Sequence, residues 1–254
     1  DTSVTGVQTC ALPISSAPAF RVGGQSVLDG TVFYDGNSQG GILGGAVTAI
    51  SNEWSRAVLG VPGMNYSTLL QRSVDFDTYK AILGPAYPSE LDRMLDLSIV
   101  QMLWDRAEAN GYAAHMTSDP LPGTIPHTVM LHVAFGDHQV ANVTAEVEAR
   151  TIGARVWQPA LAPGRSPDLT PFWGLTGAPD GWDGSVLVMW DAGTPVPPLG
   201  NLPPRPPTYG DDPHEFPRRT PAAQLQKARF LRPDGRFSDR KSTRLNSSHR
   251  CISY

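Results

Sequence analysis

The sequence predicts an α/β fold, a mainly parallel sheet with helices on both faces, interrupted over residues 63–126. Three observations predict it. Short β-rich runs alternate with helical segments over residues 16–239, the pattern that builds a parallel sheet covered on both sides. One run, TVMLHVAF at 128–135, is apolar throughout, as strands buried on both faces are. The composition, 40% hydrophobic and 17% charged, is that of an ordinary globular domain.

Taken in order, TVFYD (31–35) is the first strand candidate, broken by Gly36. GNSQGGILGGAVTAIS follows it, with small residues at helical spacing, and predicts a helix from Gln39 to Ile50. AVLGV (57–61) is a second strand, ended by Pro62-Gly63. Residues 63–126 then interrupt the alternation. Within them, SELDRMLDLSIVQMLWDRAEANG reads as a helix capped by Ser89 and ended by Asn110-Gly111. Its apolar face is Leu91, Met94, Leu95, Ile99, Met102 and Leu103. After the strand at 128–135 comes a helix over 140–153, stopped by Gly153, and SVLVMWD (185–191) is the last strong strand. Eight prolines in residues 192–213 permit only a loop or polyproline segment. TPAAQLQKARFL (220–231) closes the interior as a helix, with Thr220 as cap and Pro221 at its first position.

Both ends differ in character from the interior. DTSVTGVQTCALPIS (1–15) and RKSTRLNSSHRCISY (240–254) resemble translated sequencing-adapter sequence from metagenomic reading frames, and neither shows a periodicity that merges with its neighbour. Between them, residues 16–239 carry 16 basic and 23 acidic residues and no cysteine, because Cys10 and Cys251 both lie in the tails. No disulfide framework or thiolate zinc site is therefore expected. The acidic balance argues against a nucleic-acid partner. No apolar run approaches the length of a membrane-spanning helix.

The chemistry concentrates in three places. Gly36-Asn37-Ser38-Gln39-Gly40 matches G-x-S-x-G between a strand and a helix. That turn exposes a serine nucleophile at a helix N-terminus, and small residues on either side let strand and helix approach. The backbone N–H of Gln39 is the expected oxyanion donor. Asp137 follows the buried strand and Gly136, at a strand C-terminus where catalytic groups of parallel sheets collect. It is the expected acid, although capping the next helix would equally use an Asp there; Asp183 and Asp191 are the alternatives. His214, in DDPHEFPRR, is the one histidine outside the tails that follows both the acid and the last strong strand, and is the expected base. His138 is read as a supporting or surface residue, and Asp211, Asp212 and Glu215 as a solvated turn with no metal pattern.

Together the GNSQG elbow, the strand-Gly-Asp turn and the late loop histidine resemble the α/β-hydrolase superfamily over residues 28–232. The blocks LGVPGMNYSTLLQRS, QMLWDRAEANGYAAHM and HVAFGDHQVANVTAEVEARTIG look like those of large bacterial members. The resemblance implies an eight-stranded sheet, the nucleophile after its fifth strand, and no cofactor. It implies that the first four strands precede residue 1, with the loop supplying a second oxyanion N–H and any leader. It places the cap in residues 63–126, where Met64, Tyr66, Leu69, Met102, Leu103 and Trp104 are candidates for an acyl pocket or for core packing. The activity it implies is hydrolysis of a small-molecule carboxylic ester through an acyl-enzyme. A peptidase, an acyltransferase or a non-catalytic binding protein on the same fold are the alternatives. The chain as given is expected to be nearly inactive.

Overall fold

A computed structural model describes residues 17–27, 31–179 and 181–235. Both adapter-like tails lie outside the described residues. The chain divides into two compact units, Asp1–Phe33 and Tyr34–Tyr254. The first contains a two-residue antiparallel hairpin, Arg21–Val22 with Gln25–Ser26. Gly23 and Gly24 turn it, both at positive φ (60° and 82°), the geometry that matches the twist of paired strands.

The second unit is built on five parallel strands: β1 (Tyr34–Asn37), β2 (Arg56–Gly60), β3 (Thr128–Ala134), β4 (Arg155–Val156) and β5 (Val186–Trp190). Their order across the sheet is β1-β2-β3-β5-β4. The fold is thus α/β with a parallel sheet. β1 starts at Tyr34, three residues later than the run TVFYD suggests, and passes through Gly36 instead of stopping there. Register with β2 is the reason: Gly36 lies opposite Leu59 and Asn37 opposite Gly60, so the ladder continues to the residue before Ser38. β4 has only two residues and leaves no periodic signal in the sequence.

Alternation along the central strands divides the core into two faces. Leu59, Leu131, Leu187 and Met189 point to one side and Val58, Met130, Val186 and Val188 to the other. Helices α1 (Gln39–Ile50) and α6 (Asn142–Thr151) cover the first side through residues such as Ala49, Ala145 and Ala149. The other is covered by α8 (Pro221–Phe230) through Ala223 and Phe230, with the short α7 (Phe216–Arg219) leading into it. Glycines let α1 sit close: a Cβ on Gly45 would lie 2.6 Å from the Cβ of Ala109. Thr220 does not cap α8; its hydroxyl donates back to the Phe216 carbonyl at 2.7 Å.

Residues 63–126 fold as α2 (Tyr66–Leu69), α3 (Asp77–Ala86), α4 (Glu90–Trp104) and α5 (Ala113–Thr117). Ser89 caps α4, accepting from Asp92 N at 3.2 Å. The helix ends at Trp104, ahead of Asn110-Gly111, which lie in a separate 3-10 turn. Its apolar face points away from the core. Leu91, Met94, Leu95, Ile99, Met102 and Leu103 are 52–75% exposed, while Leu97 and Gln101 are the buried residues. Polar bonds set this orientation. Gln101 Oε1 accepts from Ser67 N at 2.9 Å, and its amide donates to Asp105 and to the buried Glu108. Glu108 in turn accepts from the backbone of Asn65, Tyr66 and Asn110. Leaving such groups unbonded in the interior costs about 1–3 kcal/mol each, so these bonds hold Gln101 and the adjoining Leu97 on the inward side of the helix. Among the described residues, no helix is long and apolar enough to cross a membrane.

Candidate active site

β1 ends at Asn37 and α1 begins at Gln39, leaving Ser38 alone on the turn with φ 58° and ψ −121°. A non-glycine residue held in such a region costs on the order of 1–3 kcal/mol and persists only where its surroundings impose it. They do so here: Ser38 N donates to the Gly60 carbonyl at 2.9 Å, and the Ser38 carbonyl accepts from Gly41 and Ile42 at 2.7 and 2.9 Å. The side chain makes no cap bond to the helix, so Oγ is free to face outward. Gly36 is sterically required, because a Cβ there would collide with the Gly40 carbonyl oxygen. Gly40 is not: a Cβ on it would meet nothing within 4 Å. The close approach assigned to it falls on Gly41, whose Cβ would collide with the Gly60 carbonyl oxygen.

Asp137 stands after β3 and Gly136, a glycine at φ 80°, and is buried. Its Oδ1 accepts from Gln139 N at 2.8 Å and from Val140 N at 2.9 Å, so it does cap the following turn. The same carboxylate faces the His214 ring, with Nδ1 at 2.8 Å from Oδ2 and 3.0 Å from Oδ1. On the other side of the ring, Nε2 lies 2.8 Å from Ser38 Oγ. The structure therefore brings Ser38, His214 and Asp137 into one hydrogen-bonded chain, although Ser38 and His214 are 176 residues apart. Asp137 and His214 are buried and Ser38 is half-buried at the surface end.

The electrostatics follow from that burial. Burial raises the Asp137 carboxyl above its usual range, against the pull of His214 and the two amides. Burial alone would lower the His214 imidazole. Its hydrogen bond to Asp137 and the charges of Asp137, Asp212 and Glu215 outweigh this and raise it above 6.5. With Nδ1–H committed to Asp137, Nε2 is left to accept the Ser38 hydroxyl proton.

The alternatives are occupied elsewhere. Asp191 forms a bidentate pair with Arg165 at 2.6 and 2.7 Å, and Asp183 exerts its charge on Arg56. His138 is buried, and its backbone N–H donates to Asp212. His132 is buried against Gln226, with its pKa lowered by burial to about 3. Gln39 opens α1, so its N–H has no acceptor within the helix. Its side-chain amide donates to the Tyr66 hydroxyl at 3.1 Å. Of the other pocket candidates, Met64 and Leu69 are buried, Met102 and Leu103 are exposed, and Trp104 packs edge-on against Tyr66. A cleft of about 170 Å³ opens beside Asp137 at the C-terminal ends of β3 and β5, lined by Phe135, Arg72, Glu146, Phe172 and Met189. Among the described residues, no group of three or more His, Cys, Asp or Glu is placed to hold a metal ion.

Asp212 is the site residue that reading the sequence missed. Its carboxylate accepts from the backbone of both His138 and His214 and from the Gln139 side chain. The available signal was its place two residues before His214, where an Asp side chain bonds the backbone of its own turn. No protein-family model, curated protein or solved structure matches this chain.

Proposed function

We propose that this protein is a serine hydrolase of the α/β-hydrolase type that cleaves carboxylic esters through an acyl-enzyme. One observation carries the reading: a serine on a strained strand-to-helix turn donates to a histidine whose other nitrogen faces a buried carboxylate, each contact at 2.8 Å. Ser38 Oγ attacks the ester carbonyl carbon as its proton passes to His214 Nε2, and the carbonyl electron pair moves onto oxygen. The N–H of Gln39, at the positive end of α1, donates to that oxyanion. Collapse expels the alcohol, which takes the proton from His214. Water, giving a proton to the same imidazole, then attacks the acyl carbon, and the acid leaves as the C–Oγ bond breaks and Ser38 Oγ takes that proton back from His214. Asp137 holds the productive tautomer throughout. A peptidase or acyltransferase would use the same groups and differ in the leaving group or acceptor.

Ser38→Ala tests the reading. It removes the attacking oxygen, so covalent labelling by a fluorophosphonate probe should be lost, and any turnover of a short p-nitrophenyl ester should fall by at least about a thousandfold. Undiminished turnover, or fluorophosphonate labelling at a residue other than Ser38, would refute it.

A further inference from the structure

We infer that Asp212 is a positioning residue of this site, a clasp that fixes the loop carrying His214 onto the loop carrying Asp137. The inference rests on the serine-hydrolase reading above. His214 sits at the end of residues 192–213, a segment of eight prolines with no helix or strand. Such a segment supplies no ladder of its own to hold an imidazole within hydrogen-bonding reach of two partners at once.

Asp212 supplies the missing fixation. Its Oδ1 accepts from His214 N at 3.0 Å and from His138 N at 3.1 Å, and its Oδ2 accepts from Gln139 Nε2 at 2.8 Å. A local turn bond would account for the His214 contact alone. The other two donors come from the residues directly after Asp137, more than 70 positions away in sequence. Gln139 is held on that loop as well, because its backbone N–H donates to Asp137 Oδ1. Acid, base and clasp thus form one closed hydrogen-bonded circuit, and moving Asp212 moves the His214 main chain relative to the Asp137 carboxylate. The clasp also brings a negative charge beside the ring. The charged groups that face His214 are Asp137, Asp212, Glu215 and Asp75, and Glu215 is itself held by Arg218 and Arg219.

Geometry and charge separate in two variants. Asp212→Ala removes both acceptor oxygens, and with them three hydrogen bonds, and leaves two backbone N–H groups without that partner. Asp212→Asn keeps Oδ1 for both backbone N–H groups, and its Nδ2 can donate to Gln139 once that amide turns over; only the charge is lost. The readout is the rate of fluorophosphonate labelling of the full chain against pH, in which Ser38 Oγ displaces fluoride at phosphorus and His214 takes the hydroxyl proton. Misplacement of a catalytic group by about 1 Å costs roughly a hundredfold, so Asp212→Ala should label about ten- to a hundredfold more slowly than wild type. Asp212→Asn should stay within about threefold of wild type well above the midpoint, with the midpoint itself moved to lower pH. A purely structural role would reduce the amount of folded protein and leave the midpoint in place. Asp212→Ala labelling at the wild-type rate overturns the inference. If that variant does not fold, Gln139→Ala, which removes the Oδ2 arm of the clasp, stands in for it, and labelling at the wild-type rate then overturns the inference. Failure of the wild-type chain to label at Ser38 is distinct from both: it refutes the hydrolase reading, and the clasp with it.

Discussion

At the scale of single residues, the elbow distinguishes two glycines that the motif treats alike. A Cβ on Gly36 would collide with the Gly40 carbonyl oxygen and lie 2.7 Å from the Tyr34 hydroxyl, which itself donates to that carbonyl. Backbone cannot yield there without displacing Ser38. Gly40 lies inside α1 with open space on its Cβ side. Gly36→Ala should therefore lower the melting temperature, on the scale of about 1–3 kcal/mol for overpacking. Gly40→Ala should leave it unchanged or raise it, since replacing a helical glycine gains up to about 1 kcal/mol. Paired thermal melts of the two variants measure this, and equal destabilisation would contradict the asymmetry.

At the scale of elements, α6 carries an ionisable acid that it has buried without partners. Glu148 is fully buried on its inner face, and neither carboxylate oxygen has a hydrogen-bond partner. Burial, with the nearby charge of Glu108, pushes its pKa up to about 8 from the usual 4.5. On the same helix, burial and Asp168 push Glu146 up to about 7. For an acid whose pKa is raised on folding, both states are neutral below the unfolded value, and no stability is lost there. As pH rises from about 4.5 to 8, the unfolded chain ionises first, so stability falls, on the order of several kcal/mol, and levels off above that range. Denaturant midpoints should accordingly drop between these pH values, and Glu148→Gln should flatten much of the drop. A wild-type midpoint that rises across the window would contradict the assignment.

At the scale of the whole molecule, two surfaces favour association. β1 is one edge of the five-stranded sheet, and an edge strand is a template for pairing with another chain. The outward face of α4 adds six large apolar side chains in one row, more than a soluble surface usually leaves uncovered. Leu95→Lys combined with Met102→Lys should lower light scattering at high protein concentration. The melting temperature should not fall, because both side chains already face water at 60% and 71% exposure. Unchanged scattering would place the association on the β1 edge.

The sequence by itself determined the features whose causes are local. A strand, a glycine-flanked serine and a helix are adjacent in the chain, so the elbow at Ser38 is legible without coordinates. The same holds for a buried apolar run ending in Gly136-Asp137, for the Ser89 cap, and for the proline loop leading to His214. Only the tertiary structure decided matters that depend on distant partners. Periodicity shows that α4 has an apolar stripe, but its direction is set by Gln101 and Glu108 bonding to the backbone around residues 65–67. Asp212 reads as a solvated turn until the fold brings His138 and Gln139 onto its carboxylate. The two-residue β4 exists because β5 offers its edge, with Arg155 opposite Val186 and Val156 opposite Leu187. In each case the deciding hydrogen-bond partner lies dozens of residues away, so no local window of sequence contains it, while buried polar groups must still find one.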